Sequence, residues 1–224
     1  MKIVRMEDGN FSAGWLSRNE VIYSTARSNR YEIRIVNLET GESRTVFQDS
    51  QNYVLPAVSP NGSKLAFFSD RPVPSESLNP ISNGDTGTIV PGIMIGGFNL
   101  WTSDLDGSDA VYQYVLGNLW RDMKIPVYLP YSPGMIYLAQ PPVWSVDSTK
   151  IAYVSFSSSG YGVYVWDTAT LSVVHVGSFQ GDTLDPSWSP KGTNLLFRNN
   201  ATGHYHIFIA YSAGAGTPQV APAY

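Results

Sequence analysis

The residues of this sequence whose types and spacing could do chemistry are few: three histidines, His175, His204 and His206, and the acidic run "DLDGSD" with Asp104, Asp106 and Asp109. His204 and His206 lie two apart, so on a strand they share a face, and two imidazoles on one face could begin a metal site. No third ligand stands nearby in sequence, while zinc sites use three or four protein ligands, so the spacing reads as an ordinary surface or interface pair. The acidic run opens like a calcium loop, but the twelfth position from Asp104 is Val115, where an EF-hand supplies a bidentate glutamate. Its Asp-Gly step is the dipeptide of a tight hairpin turn, and "ETGE" repeats that cue. There is no G-x-S-x-G elbow, phosphate-binding loop or glycine-rich dinucleotide fingerprint. The residues therefore read as those of a non-enzyme, with no catalytic set, no metal site and no cofactor.

Residues suited to binding are plentiful in two long stretches. Residues 117–142 hold Trp120, Tyr128, Tyr131 and Tyr137 beside Arg121 and Asp122, and aromatics with a nearby arginine are common interface anchors. Residues 70–98 begin polar and end in "TIVPGIMIGGF", whose Ile93, Met94 and Ile95 read either as an apolar flap over the fold or as a partner-binding patch. Trp120, Arg121, Tyr128, Tyr131, Ile93, Met94 and Ile95 are thus the expected partner-binding residues. Asn10, Asn61 and Asn200 open glycosylation-type triplets, which matter only in a glycosylating host.

The elements that position these stretches follow from composition and repetition. A chain of 224 residues with 43% apolar content can bury a sizeable core as one domain. Only 14% of residues are charged, against roughly 25% on average, and Ser, Thr, Asn, Gly and Tyr take their place; that composition points to an extracytoplasmic setting. A net charge of −4 with 14 Lys and Arg provides no basic stripe, which argues against nucleic acid and anionic membranes as partners. There is no cysteine, so disulfides and thiolate chemistry are excluded. No run approaches the eighteen or so apolar residues of a membrane span, and "MKIVRMEDGN" lacks a secretory h-region; an exported form would have had its leader removed or replaced.

One phrase recurs: "GWLSRNEVIYS", "VSPNGSKLAFFSDR", "VWSVDSTKIAYVS" and "SWSPKGTNLLFRN". Each is a bulky residue, a polar turn and an apolar burst. The bulky residues are Trp15, Val58, Trp144 and Trp188, spaced 43, 86 and 44 apart. A period in the forties with several short strands per unit is that of propeller blades, since a lone four-stranded sheet cannot cover both of its faces. In each unit a first strand ends at the bulky residue. Pro60 and Pro190 preset the following turn and Gly62 and Gly192 accept positive φ, whereas "SRNE" and "SVDST" lack that chemistry. A nearly all-apolar second strand follows ("KLAFFS"), then an alternating third ("EIRIVNL", "NLWTSDL", "GVYVWDT", "HIFIAYS") and a short outer strand ("RTVFQ", "AVYQYV", "VVHVG").

"SPNGSKLAFFSDR" followed by "NLWTSDLDG" resembles the TolB-like propeller repeat, a relative of the WD-type repeat. The expected fold is all-β: a propeller of about four four-stranded blades, approximately 11–49, 54–116, 140–178 and 184–221, in a single domain spanning 1–224. The stretches 70–98 and 117–142 are inserts. Strands in a blade alternate in direction, so both inserts leave from one end and crowd one face. Residues 1–7 could supply a closing outer strand for the last blade, and "TPQVAPAY" then reads as a Pro- and Ala-rich tail. A four-bladed ring closed in one chain is the leading reading; an arc of a longer propeller, or two chains completing a larger ring, competes with it.

The resemblance implies a role in envelope complexes. The expected function is a non-catalytic binding or scaffolding module that docks a protein partner through its insert-bearing face. The alternatives are a structural subunit of a larger envelope or extracellular assembly, self-associating or contacting neighbouring subunits, and a propeller domain associated with a hydrolase or lyase. These 224 residues hold no α/β-hydrolase half and too few histidines for the lyase pattern.

Overall fold

The computed structural model describes residues 10–27, 30–72, 99–112, 140–157, 160–176, 181–211 and 219–222. Among the described residues, sixteen strands form four antiparallel sheets of four, each built from consecutive strands. The first sheet is β1 (Asn10–Trp15), β2 (Glu20–Arg27), β3 (Arg30–Asn37) and β4 (Ser43–Thr45). The second is β5 (Tyr53–Val58), β6 (Lys64–Ser69), β7 (Asn99–Asp104) and β8 (Val111–Tyr112). The third is β9 (Val143–Trp144), β10 (Lys150–Ser157), β11 (Gly160–Asp167) and β12 (Ser172–Val176), and the fourth is β13 (Thr183–Trp188), β14 (Leu195–Asn199), β15 (His206–Tyr211) and β16 (Gln219–Pro222).

Each sheet is a meander of consecutive strands, joined mostly by short turns, with the long stretch 70–98 between β6 and β7. The turn after the innermost strand repeats atom for atom: Gly62 N–H donates to Ser59 O at 2.8 Å, Gly192 to Ser189 at 2.8 Å and Ser148 to Ser145 at 2.9 Å. Gly62 and Gly192 have φ of 68° and 71°, where a residue without Cβ is unstrained. In the third blade Ser148 takes the same left-handed conformation, φ 61°. The turn serine also accepts from the start of the next strand, Lys64 N–H to Ser59 Oγ at 2.9 Å and Lys150 N–H to Ser145 Oγ at 2.9 Å. "SVDST" therefore builds the same turn as "SPNGS" without proline or glycine. "DLDGSD" is the β7–β8 hairpin: Gly107, φ 88°, donates to Asp104 O at 3.0 Å, and Asp104 binds Lys64 Nζ at 2.6 Å.

The second strand β6 is buried on both faces, with Leu65, Ala66, Phe67, Phe68 and Ser69 all buried. Core layers lie between successive sheets. Ile22, Ile33 and Ile35 of the first pack with Phe47 and with Tyr53, Leu65, Phe67 and Trp101 of the second; Phe47 and Tyr53 stack at 4.0 Å and 9°. Val54, Leu55, Phe68 and Leu100 meet Trp144, Ile151, Tyr153 and Trp166 of the third. Ala152, Val163, Val165 and Val176 meet Leu195, Phe197 and Ala210 of the fourth. At roughly 25 cal/mol per Å² of apolar surface, these layers are the dominant stabilising term in a chain without crosslinks.

Three innermost strands carry a bulge, with register shifts between Phe11 and Ala13, Val54 and Ala57, and Leu184 and Ser187. Each bulge contains a residue at positive φ: Ser12 at 50°, Leu55 at 56° and Asp185 at 56°. Bulges tighten the local twist and free an amide, and the neighbouring blade takes that amide up: Leu55 N–H donates to Ser24 Oγ at 2.8 Å and Asp185 N–H to Gln140 Oε1 at 2.9 Å.

One expectation changes. "TPQVAPAY" is not a tail: β16 pairs with β15 from Phe208↔Pro222 to Tyr211↔Gln219 and is the outer strand of the fourth sheet. Proline is tolerated there because an outer strand has a free side. Residues 1–7 lie outside the described residues. The ring expected to close within one chain is not seen closing among the described residues, where the principal contacts run from first to second, second to third and third to fourth sheet. Trp15, which would be covered at a closing junction, is 67% exposed.

Candidate functional site

The end of the molecule that carries the long connections is set by strand direction. β6 runs away from the Ser59–Lys64 turn and β7 runs back, with Ser69 opposite Asn99; β8 runs away again and β9 returns. The segments joining β6 to β7 and β8 to β9 therefore leave from one end, opposite the Ser-Asx turns.

At that end, polar side chains lock the root of the first connection. Asn52, just before β5, accepts the Tyr31 amide of the preceding sheet at 2.9 Å. Its own backbone N–H and Nδ2 donate to the two oxygens of Asp70 at 2.7 and 2.6 Å. The same rung recurs with amide and carboxylate exchanged: Asp182 accepts Tyr161 N–H at 3.1 Å, and its own N–H donates to Asn200 Oδ1 at 2.7 Å. Each rung ties the start of an innermost strand to the blade before it and to the β-turn region of its own blade.

Around the first rung, Tyr53 Oη donates to Asp49 Oδ2 at 2.6 Å, and Arg30 Nη1 donates to Asp49 O at 2.7 Å. The Arg71 guanidinium stands 3.8 Å from Asp49 Oδ2 and 5.3 Å above the Trp101 ring. Burial, and then the hydrogen bond to Asp49, push the Tyr53 phenol well above its usual range, so Tyr53 is a fixed donor. Asp49, Asn52, Tyr53, Asp70, Arg71 and Trp101 thus make a platform held by hydrogen bonds, by the Arg71–Asp49 ion pair and by Arg71 over the Trp101 ring, with the Asp70 carboxylate bound by the two Asn52 amides. It sets a cation over an aromatic ring and holds a carboxylate by a phenol.

The expected partner-binding residues Trp120, Arg121, Tyr128, Tyr131, Ile93, Met94 and Ile95 lie outside the described residues. The structure describes the platform from which their segments depart. Asn52, Tyr53, Asp70, Arg71 and Trp101 escaped the sequence reading, although "NYVLPAVSP" against "DTLDPSWSP" carries the signal: a polar residue immediately before each innermost strand.

The histidines do not converge. β15 begins at His206, and His204 lies in the bend before it, so the two do not alternate along one strand as expected; "TGHY" continues the turn that Gly203, φ 89°, begins. His175 stacks on Tyr164 at 4.6 Å. Among the described residues no three His, Cys, Asp or Glu side chains are grouped to hold a metal ion, and no helix is long and apolar enough to cross a membrane. Asp106 accepts Ser108 N–H and Oγ at 2.9 and 2.6 Å, the interior bonding of a turn.

Comparison with known proteins gives this framework its relatives. Residues 133–222 match the family model described as a TolB beta propeller domain. A Tol-Pal system protein TolB from Alcanivorax borkumensis is 43% identical over 63 residues, which cover 28% of this chain and 14% of that protein. The curated relatives are therefore matched over only a small part of their length. Among solved structures, a putative TolB from Agrobacterium tumefaciens aligns over 95% of this chain and 61% of its own, with TM-score 0.60 and 12% identity. The β-propeller domain of the Trilobed protease from Pyrococcus furiosus, which has an open velcro topology, aligns over 96% of this chain and 57% of its own, with TM-score 0.54 and 16% identity. At such identities the structural likeness speaks for the fold.

Proposed function

We propose that this chain, whose residues 133–222 match a TolB beta propeller domain, is a non-catalytic binding and scaffolding module that docks a protein partner through its insert-bearing face. The platform of Asn52, Asp70, Tyr53, Asp49 and Arg71 carries the reading, because it fixes the departure of a long connection to within hydrogen-bond geometry. A binding loop gains affinity when its base is ordered before the partner arrives. Trp120, Arg121, Tyr128 and Tyr131 on the second connection, and Ile93, Met94 and Ile95 on the first, are the proposed contacts. The relatives' place in a Tol-Pal system favours a protein partner in the cell envelope, and the low-charge composition suits an extracytoplasmic compartment.

The test replaces residues 117–142 with a short turn and measures binding to purified Tol and Pal proteins by calorimetry, alongside the thermal melt of the propeller. The reading expects binding lost and the melt retained. Undiminished binding by the shortened protein overturns it. A second reading, a propeller serving a peptidase, draws on the likeness to the Trilobed protease propeller; it requires peptidase activity to change when this chain is added to such an enzyme.

A further inference from the structure

Among the described asparagines, Asn61 alone is followed by glycine. Gly62 has no side chain to shield its amide, so its nitrogen is sterically free to reach the Asn61 side-chain carbon. Asn61 is exposed, in the turn between β5 and β6. The triplet Asn61-Gly62-Ser63, marked in the sequence only as a glycosylation-type motif, thus carries the parts of a different modification, one that needs no enzyme.

The folded turn holds those parts apart. The nucleophile, Gly62 N–H, donates to Ser59 O at 2.8 Å. The Asn61 amide is anchored separately: its Oδ1 accepts Ser59 Oγ at 2.7 Å, Ser63 N–H at 3.1 Å and Ser63 Oγ at 2.8 Å. With Pro60 second in the turn and Asn61 third at negative φ, the turn is of type I, which holds ψ of its third residue near roughly 0°. The backbone on either side is fixed too, Asn61 N–H donating to Ser148 Oγ of the third blade at 3.1 Å and Lys64 N–H to Ser59 Oγ at 2.9 Å. The Gly62 nitrogen can turn to Asn61 Cγ only by leaving Ser59 O, which opens the turn.

We propose that Asn61 is a self-modification site silenced by this turn, and that deamidation there records each opening of it. In the opened chain the Gly62 amide gives a proton to solvent and its nitrogen attacks Asn61 Cγ. The Cγ–Nδ2 bond breaks and Nδ2 takes up a proton and leaves as ammonia. Water then opens the five-membered imide. Breaking the bond from Gly62 N to Cγ yields aspartate at position 61. Breaking the bond from Gly62 N to the main-chain carbonyl carbon yields isoaspartate, with the chain running through the former side chain. Water is the only co-reactant, and nothing is oxidised or reduced.

The two products fare differently in the fold. Aspartate fits, because the third blade already uses it: Asp147 Oδ1 accepts Ser145 Oγ at 2.6 Å, Thr149 N–H at 3.2 Å and Thr149 Oγ1 at 2.9 Å. Isoaspartate adds a carbon to the backbone and removes the side chain that took those bonds. Ser59 N–H to Lys64 O at 2.9 Å and Gly62 N–H to Ser59 O are matched to the original chain length, and the longer chain cannot remake both. The Asn61–Ser148 bond between the second and third blades depends on the same spacing.

The test incubates the whole chain in mildly alkaline buffer, folded and in urea, beside a synthetic peptide of residues 56–66. Mass spectrometry maps position 61, with fragmentation that separates isoaspartate from aspartate. The expected result is conversion in urea at the peptide's rate, and conversion of the folded chain slower by about tenfold or more, since only the opened turn reacts. Ser59→Ala removes the acceptor of Lys64 N–H and a donor to Asn61; with folding checked by a thermal melt, it should speed the folded chain severalfold and leave the rate in urea unchanged. After refolding, chains carrying isoaspartate should unfold at lower urea than the parent, whereas Asn61→Asp should unfold with it. A folded chain that reacts as fast as the peptide, a chain in urea that does not react, or a Ser59→Ala rate equal to the parent's overturns the proposal. Isoaspartate chains as stable as the parent overturn it as well.

Discussion

Asp70 holds Asn52 by both its backbone and side-chain amides, at 2.7 and 2.6 Å, while Asn52 in turn caps the Tyr31 amide of the preceding blade. Removing the carboxylate leaves two donors without their acceptor in a half-buried site. Asp70→Ala is expected to cost about 2–3 kcal/mol, at the charged end of hydrogen-bond energies. Asp70→Asn, which keeps one acceptor oxygen as Asn200 does in the fourth blade, should cost less than half of that. Urea unfolding of the two variants decides it; equal losses would mean that the rung is not what stabilises this junction.

Two glycines separate backbone strain from crowding. At Gly62, φ 68°, an added Cβ meets nothing within 4 Å, so Gly62→Ala should cost only the left-handed penalty of about 1 kcal/mol. At Gly107, φ 88°, a Cβ would stand 2.9 Å from the Val46 carbonyl oxygen and 3.0 Å from the Phe47 ring. Gly107→Ala should cost clearly more, about 2–4 kcal/mol, because backbone cannot move aside. Thermal melts of the pair should rank them in that order.

Asp147 and Asn61 are the same turn position in different chemistry. Asp147 Oδ1 accepts Ser145 Oγ at 2.6 Å and Thr149 Oγ1 at 2.9 Å; Asn61 Oδ1 accepts Ser59 Oγ at 2.7 Å and Ser63 Oγ at 2.8 Å. The Ser145 hydrogen bond, the largest influence, holds the Asp147 carboxyl below its usual 3.8. A depressed carboxyl contributes stability that is present above its unfolded value and lost as pH falls through the folded one. Asp147→Asn should therefore keep the fold and its stability at neutral pH while flattening the loss of stability below about pH 4. An acid titration of stability identical to that of the parent would refute this.

Trp188 ties the fourth blade to the third through one hydrogen bond and a large apolar surface. Trp188→Phe removes the donor and should cost about 1 kcal/mol, whereas Trp188→Ala removes the ring too and should cost about 3–5 kcal/mol. Hydrogen exchange should localise the loss in β13 and β14. A uniform loss across all four blades would show the junction to be no more than one contact among many.

The blades were legible because their signals are local. Period-two alternation over "EIRIVN" and the Pro-Asn-Gly and Asp-Gly turns act within a few residues, and β3, β6 and the β7–β8 hairpin form where those signals stand. Ser148 was harder, since a serine at positive φ is held by Ser145 and by its own Oγ accepting from Asn61 in another blade at 3.1 Å, and no local rule writes that. The bulge at Leu55 was hidden for the same reason: its freed amide is satisfied by Ser24, thirty-one residues away. β16 was misread because proline content argues against strands in general but not at an outer edge. The Asn52–Asp70 rung depends on a pair eighteen residues apart, visible only when two blades are superposed.

The clamp at Asp70 and the Ser69↔Asn99 pair together seal the base of the β6–β7 connection. What lies past such a seal is insulated from the register of the sheet. Changing its length costs only chain-closure entropy, about 0.6 kcal/mol per doubling. Selection can therefore rewrite that stretch for new tasks while the blade beneath it keeps folding as before.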